Sequence, residues 1–582
     1  MDDLEQMRKT ADATTRKESV QPDNKVHKAQ KTRKRKTLEN YALPDSCPVS
    51  PIGTNNGIYF YLDANKQFRS LAAGKHNRLE IMALFGDKAS FLSDYWPRRD
   101  KNGDIEGWRP ELAAQALMEA CAAKGIVDLS ATIRGTGCWQ DENGNLVMHC
   151  GEVVYFGCAI LPAGECGSFV YPAASPKPKP DFESDHGIEF GRDILSFIQS
   201  WKWSRPDIDP TLLLGWIGAA ILGGALDWRP ILWITGDKGT GKSTLLTKLI
   251  QPVLGANGAI YASDASAAGL WQSVGHSSLP IILDEQESEE DNRKGNNLIK
   301  LARHAASGGS VLRGGSDHRS ADFTVRSAFL FSSILIPPLL GQDVSRMAVL
   351  RLKKLKAGSV PVVLDAGEFA QAGTVFRRRV LEQWPRFERT LSAYWEAMAK
   401  AGHGARGADQ FGTLLACADL LLFDHNIPEQ ALLDEWTNKM RIENLDEAQD
   451  ETADHERCAA HLLTSIVDFY RNGARNSIGY WIEIAAGMKL GDDTEAGTVL
   501  SSYGIKVHAA NSRKFLRVAH SHRGLSKLFE GTIWAGRSGA SGVWVQSLRR
   551  IDGAETSQVR FDGVKTRCVE IPLEQILTKD ER

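Results

Sequence analysis

A chain of 582 residues is longer than one hydrophobic core ordinarily serves, and it predicts about three or four domains. Its 70 Lys and Arg residues balance 72 Asp and Glu to a formal net charge of −2. That excludes a whole-molecule pull toward nucleic acid or an anionic membrane, so any such attraction has to be local. Nine cysteines without regular spacing read as reduced thiols of an intracellular, cytoplasmic protein, not as a disulfide framework.

The first twenty residues are polar and hold no apolar signal core. Residues 1–46 form a charged tail, expected to be disordered and solvated. Its cluster Lys31, Arg33, Lys34, Arg35 and Lys36 is also suited to phosphate contacts. Residues 47–171 predict a mixed α+β N-terminal domain. There "GIYFYLD" alternates like a strand, "RPELAAQALMEACAAKG" repeats at helical spacing, and "NLVMHCGEVVYFGCAIL" returns to strand character. Cys138, His149, Cys150, Cys158 and Cys166 invite a zinc reading, but no CxxC pair is present, which favours thiols buried on strands. Asp63 and Glu152 stand alone, so the metal-binding carboxylates of a polymerising primase are missing, and a docking or DNA-loading role fits this domain better. Pro172, Pro176, Pro178 and Pro180 mark residues 172–186 as a stiff linker and a domain boundary.

The longest apolar run, Leu212 to Leu226, is 15 residues, short of the roughly 18–20 that cross a bilayer. It predicts a core helix that opens with an Asp209 cap and Pro210 and closes at Trp228-Arg229-Pro230. No membrane partner is expected. Next, "ILWITGDKGTGKSTLLTKLI" predicts a buried strand, a glycine loop and a helix, the context that a P-loop requires. Gly236, Asp237, Lys238, Gly239, Thr240, Gly241, Lys242, Ser243 and Thr244 would cradle the phosphates of ATP with backbone N–H groups and the helix N-terminus. Lys242 would bridge the β- and γ-phosphates, and Ser243 would hold Mg²⁺. In "LPIILDEQ" a short buried strand ends at Asp284, which suits the Mg²⁺ shell, and Glu285, which suits the base that activates the attacking water.

"SVLRGGSDHRSADF" predicts a hairpin whose tip carries Asp317, His318 and Arg319. "AFLFSS" is a further strand ending in Ser332 and Ser333; either serine can meet the γ-phosphate or the lytic water, and both can equally be plain strand-end residues. Arg346, in "DVSRM", precedes another strand, in the position of an arginine finger offered to a neighbouring subunit's ATP. Arg303 and Arg351 compete for that role. A trans arginine requires a homo-oligomeric ring, and a hexamer is expected. Residues 359–475 are helical by periodicity and suit a lid beside the nucleotide, with Arg377, Arg378 and Arg379 read as the outer face of a helix. Residues 476–582 carry Lys506, Arg513, Lys514, Arg517, His520, His522, Arg523 and Lys527 among helices and short strands, and predict a small basic C-terminal domain, winged-helix-like.

The series "GDKGTGKS", "PIILDE", basic hairpin, "AFLFSS" and "DVSRM" resembles the ATPase domain of AAA+ proteins. More narrowly it is similar to superfamily 3 helicases and the related replicative helicases of phages and plasmids, often fused to or partnered with primases. The resemblance covers about residues 190–355. It implies an α/β fold: a P-loop AAA+ core with a parallel sheet and flanking helices over residues 187–358, followed by the helical lid. It implies an ATP-dependent DNA helicase or translocase, with His318 and Arg319 gripping a single DNA strand in the central channel and a separate primase or loader as partner. The chain departs from the family pattern in its Asp-His-Arg tip and in serine where the family usually has a sensor asparagine. A different class, a ring ATPase that remodels protein or serves a defence or regulatory assembly, would ordinarily thread its substrate with aromatic pore loops; this tip has no aromatic residue.

Overall fold

The computed structural model describes residues 42–183, 187–284, 293–309, 311–314, 320–337, 339, 341–344, 346–354, 364–445, 454–468, 475–510, 512–536, 541–561 and 563–577. At its centre is a five-stranded parallel sheet built from β1 (Ile231–Gly236), β2 (Ile260–Ala262), β3 (Ile281–Leu283), β4 (Phe329–Ser333) and β5 (Met347–Leu352). The strand order is β2-β3-β4-β1-β5. These strands are almost continuously apolar because both faces are covered. Alternate side chains divide between two cores: Leu232, Ile234, Leu330 and Leu350 face one layer of helices, while Trp233, Phe329, Phe331 and Val349 face the helices Ala267–Val274 and Arg293–Ser307.

On the first face lies the helix Asp209–Leu222, in which every residue but Thr211 is buried. Being covered all round explains why it is apolar all round. Trp216 Nε1 donates to the Phe329 carbonyl at 3.0 Å, fastening the helix to the start of β4. A Cβ on Gly215 would overlap the Leu414 carbonyl, so this glycine lets the helix Ala405–Leu422 approach to backbone contact. Asp209 is not the cap that its position suggests. It lies within the first turn, fully buried, and pairs with Arg205 at 2.7 Å. The helix ends at Gly223, earlier than Trp228, because Gly223 takes φ 40° and its N–H returns to the Ala219 carbonyl. Among the described residues no helix is long and apolar enough to cross a membrane.

The N-terminal part contains the antiparallel strands Ser50–Asn55, Ile58–Leu62 and Phe68–Ala72, the helix Pro110–Lys124, and a four-stranded antiparallel sheet running from Gly137–Gln140 to Ala159–Pro162. The proline-rich stretch does not separate this four-stranded sheet from the central parallel sheet and its helices. Cys138, Leu146, Met148, Cys150 and Tyr155 share one hydrophobic core with the helix Asp209–Leu222. Ser278 N donates to Thr136 O at 2.9 Å and Ser278 Oγ to Cys138 O at 3.1 Å. The stretch itself is strapped down, with Lys177 N on Cys150 O at 3.0 Å and Asp181 N on Thr374 O at 3.1 Å. Cys138 and Cys150 are buried, and His149 is held by the carbonyls of Arg134 and Gly151. Among the described residues no three His, Cys, Asp or Glu side chains converge to hold a metal.

The helices Ala366–Lys400 and Ala405–Leu422 likewise belong to this core and do not form a separate lid. Arg377 and Arg379, expected on an outer face, are 6% and 3% exposed. Arg377 donates to the carbonyls of Val253, Leu254 and Gly373, closing the end of the helical run after β1. Arg379 binds the Leu420 and Phe423 carbonyls and Asp424. A guanidinium with five donors can satisfy several helix-end carbonyls at once, which triple-arginine spacing does not reveal.

The C-terminal body has its own core, from Cys458 to Leu573. It includes the helix Asp454–Thr464, upstream of residue 476, because the Asp454 carboxylate accepts from Trp534 Nε1 at 3.1 Å and Ser547 Oγ at 2.5 Å. The helices Ile478–Ala485 and Asp493–Ser502 lead into the hairpin Ile505–Ala510 and Arg513–Ala519, which joins Glu555–Phe561 and Val564–Pro572 in a four-stranded sheet. Helices thus precede strands in this body, and its sheet is built of two hairpins.

The buried Arg377 yields the first prediction. Arg377→Met orphans carbonyls in the core and should lower stability by about 3 kcal/mol, read as a fall in melting temperature, whereas Arg378→Met, at a half-buried site facing Glu382, should change it by less than about 1 kcal/mol.

Candidate nucleotide site at the sheet edge

The C-terminal ends of the parallel strands bring the polar residues of the centre to one edge, where ligands of open parallel sheets ordinarily bind. β1 ends at Gly236, and the chain turns through a loop into a helical run from Lys242 to Leu254 that has a π-helical turn in its middle. Gly239 and Gly241 take φ 82° and 89°, values open to glycine and costly for other residues. Thr240 is buried and its Oγ1 donates to the Asp237 carbonyl at 2.9 Å, bracing the turn. Lys242 folds back into the loop and donates to the Gly236 and Asp237 carbonyls. An ammonium held, among the described residues, by two backbone carbonyls alone can be drawn to a phosphate. Ser243 and Thr244 lie at the first turn, and both are exposed. Exposed Lys238, Lys353 and Lys354, with Lys202, add positive charge around the loop, and Lys354 lies 3.6 Å from Asp237.

Asp284 follows β3 at the same edge, its N–H bonded to the Ala262 carbonyl at 3.1 Å, and one strand, β4, stands between it and β1. A loop ammonium, a first-turn hydroxyl and a carboxylate at one sheet edge form a donor set of the kind that a Mg²⁺–polyphosphate takes. Glu285, His318 and Arg319 lie outside the described residues. The strands Val311–Gly314 and Ser320–Phe323 pair in antiparallel register, as the hairpin expectation requires.

Ser332 and Ser333 end β4 between these groups, and both are buried. Their side chains diverge because strand residues alternate. Ser333 Oγ accepts from Trp233 Nε1 at 2.8 Å on the face away from the helical run of the loop. Ser332 Oγ is buried with no hydrogen-bond partner among the described residues. Of the pair, Ser332 is therefore the one with a hydroxyl to offer a ligand.

The three candidate arginines are well separated along the sheet. Arg351 is paired with Thr235, beside the loop. Arg346 precedes β5 at the opposite edge, six strand residues away, or about 20 Å at ~3.3 Å per residue. That distance excludes it from its own chain's loop. Arg303 is committed to Asp343 at 2.9 Å, while burial and the charges of Arg406 and Arg303 hold the Arg346 guanidinium below its ordinary pKa.

Sequence reasoning missed Trp201. The segment 201–204 runs antiparallel beside β5, with Ser204 N on Arg351 O at 2.8 Å and Lys353 N on Lys202 O at 2.7 Å. This brings Trp201 Nε1 to the Gly241 carbonyl at 3.2 Å. The alternation "WKWS" was the available signal, but only the pairing with β5 shows which tryptophan faces the loop; Trp203 turns inward to the Ile198 carbonyl. In the C-terminal body, Arg517 is paired with Glu570 at 2.6 Å, and Lys506, Lys514 and His522 are used in internal hydrogen bonds. Arg513 and Lys527 are among the basic residues left on its surface. A cluster not foreseen joins His520 to Arg549 and Arg567, whose charges, after burial, depress the His520 pKa.

No family model matches this chain, and no curated protein matches it. Among solved structures it is similar to the apo NrS-1 C-terminal region (305–718), at 11% identity and a TM-score of 0.32 over 90% of this chain and 96% of that one. The A form of the apo NrS-1 C-terminal region is similar at 12% identity and a TM-score of 0.31, with the same shares covered. Superposition at that level carries no argument about chemistry, and the functional reading rests on the site itself.

The two serines should separate experimentally. Ser333→Ala leaves the buried Trp233 indole N–H unpaired and is expected to cost about 1–3 kcal/mol in denaturant unfolding; Ser332→Ala removes an unpaired hydroxyl and should leave stability unchanged or slightly raised.

Proposed function

We propose that this chain is a ring-forming ATPase that drives movement along, and unwinding of, DNA. One observation carries the reading: the glycine loop with its folded-back Lys242 and the Asp284 carboxylate share one edge of the sheet, while Arg346 stands at the other edge, about 20 Å away. A site whose arginine cannot reach its own loop is complete only when a second copy supplies one, which favours a closed ring.

ATP is the expected substrate, with its phosphates wrapped by the loop from Gly236 to Ser243. Lys242 exchanges its two carbonyl partners for phosphate oxygens, which adds a charge-assisted bond where charge develops. Ser243 and Asp284 would hold Mg²⁺, which when bound neutralises charge on the phosphates. Glu285 takes the proton of the water that attacks the γ-phosphorus, and the phosphate–phosphate bond breaks with ADP leaving. Ser332 offers its free hydroxyl beside the loop. A neighbour's Arg346 stabilises the transition state, so hydrolysis is coupled to the subunit interface. The hairpin carrying His318 and Arg319 comes between the helix Arg293–Ser307 and β4 in the chain, and it is the element through which that movement would act on a DNA backbone. The surface basic residues of the C-terminal body give a second, sequence-tolerant hold on DNA, and a role in replicating a phage, plasmid or integrated element follows from the family resemblance alone.

Lys242→Ala should reduce ATP hydrolysis at least about a hundredfold. Glu285→Gln and Arg346→Ala should each be inactive alone and recover activity when mixed, since a mixed interface can pair an intact glutamate with an intact arginine; no recovery would refute the shared site. Single-stranded DNA should stimulate hydrolysis in the wild type and not in the His318→Ala/Arg319→Ala double variant, in a phosphate-release assay. Equal stimulation of both would remove the hairpin from the mechanism, and no DNA effect at all would favour a protein-remodelling ring.

A further inference from the structure

At the opposite end of the sheet from the glycine loop, a cleft of about 360 Å³ opens where three parts of the fold meet. These are the turn between Gly137–Gln140 and Leu146–His149, the long helix Ala366–Lys400 at its Pro385, and the segment entering β1. Its size is that of a small-molecule site. Trp228, Trp384 and Phe387 supply aromatic walls, and the last two stack with centroids 4.9 Å apart. Both indoles are fixed: Trp384 Nε1 donates to the Gly144 carbonyl at 2.9 Å and Trp228 Nε1 to Gln410 Oε1 at 3.1 Å.

Charge decides what such a cleft can take. Its lining includes the exposed carboxylates of Asp227 and Glu388 and no Lys, Arg or His. Neither carboxylate makes an ion pair among the described residues. The neighbouring Arg229 is buried and spends its guanidinium on the carbonyls of Leu226, Asp227 and Ala305. Thr413, only 2% exposed, also lines the cleft, and its hydroxyl makes no hydrogen bond among the described residues. Two exposed carboxylates in a lining that holds no Lys, Arg or His disfavour phosphates, whereas fixed aromatic faces beside them attract a flat cation.

We propose that this cleft binds a guanidinium or ammonium group, in the first instance the arginine side chain of a peptide segment. The cation stacks on the tryptophan faces and is paired by Asp227 and Glu388. Such an occupant would press on the turn at Gly144 and on Trp228, whose indole is bonded to the Gln410 side chain that also grips the Ile231 N–H and carbonyl at the start of β1. The same chemistry could come from a free polyamine, and the experiment distinguishes the sources.

Calorimetric titration of the full chain with acetyl-Gly-Arg-Gly-amide, its citrulline counterpart and spermidine tests this. The arginine peptide should bind at least about fivefold more tightly than the citrulline peptide, and the Asp227→Asn/Glu388→Gln variant should lose that preference. Both substituted residues are exposed, so the variant should fold, and an unchanged melting temperature checks it. Binding of spermidine alone, lost in the same variant, would assign the cleft to a free organic cation. Equal binding of arginine and citrulline peptides, no binding by either cation, or undiminished binding in the double variant would overturn the proposal.

Discussion

The close approach of backbone to backbone around the helix Asp209–Leu222 is the constraint on which the other parts rest. Gly215 leaves no room for a Cβ against Leu414, and Gly218 brings the same helix against Cys417. At its end, Gly223 lies close against Ser278 and Gly224 against Cys138, where a Cβ would likewise collide. One apolar helix thereby touches the parallel sheet, the long helical layer and the strands from the N-terminal half. A larger residue at Gly215 would push apart two layers that share one core, and interiors packed to that density do not absorb such a shift locally.

The candidate site inherits its geometry from this packing. β1 is clamped at its start by Gln410 from the neighbouring helix and fastened along its length between β4 and β5, so the loop after Gly236 leaves from a fixed point. Parallel strands carry their C-terminal residues to one edge, which places the loop, Ser332 and Asp284 together and sends Arg346 to the other. Separation of the glycine loop from the arginine is thus a property of strand direction, and it makes association of copies the natural route to a complete site.

Buried charge is used for fastening throughout the helical layer. Arg386, Tyr394 and His425 converge on Asp419, a carboxylate 1% exposed, and Arg377 and Arg379 serve helix-end carbonyls in the same way. Such groups are costly to bury singly and stable only when their donors and acceptors are all matched, which ties the helices to one arrangement. They also explain why a run of arginines misleads: composition records three charges, and the fold decides that two of them face inward.

Local chemistry made much of this protein legible from its residues. The glycine loop between a β-branched run and a helix, the acidic strand end, the hairpin strands and the buried apolar helix all follow from short-range pattern, because period, turn chemistry and glycine conformation act within a few residues. Tertiary structure alone decided the rest. It showed that the proline-rich stretch is strapped to a shared core, that the helix Asp454–Thr464 belongs to the C-terminal body, that Ser332 and not Ser333 keeps a hydroxyl without a partner among the described residues, and that Trp201 meets Gly241. Each of these depends on a contact between residues distant in the chain, and the energy of such a contact is set by who the neighbour is, which no local pattern encodes.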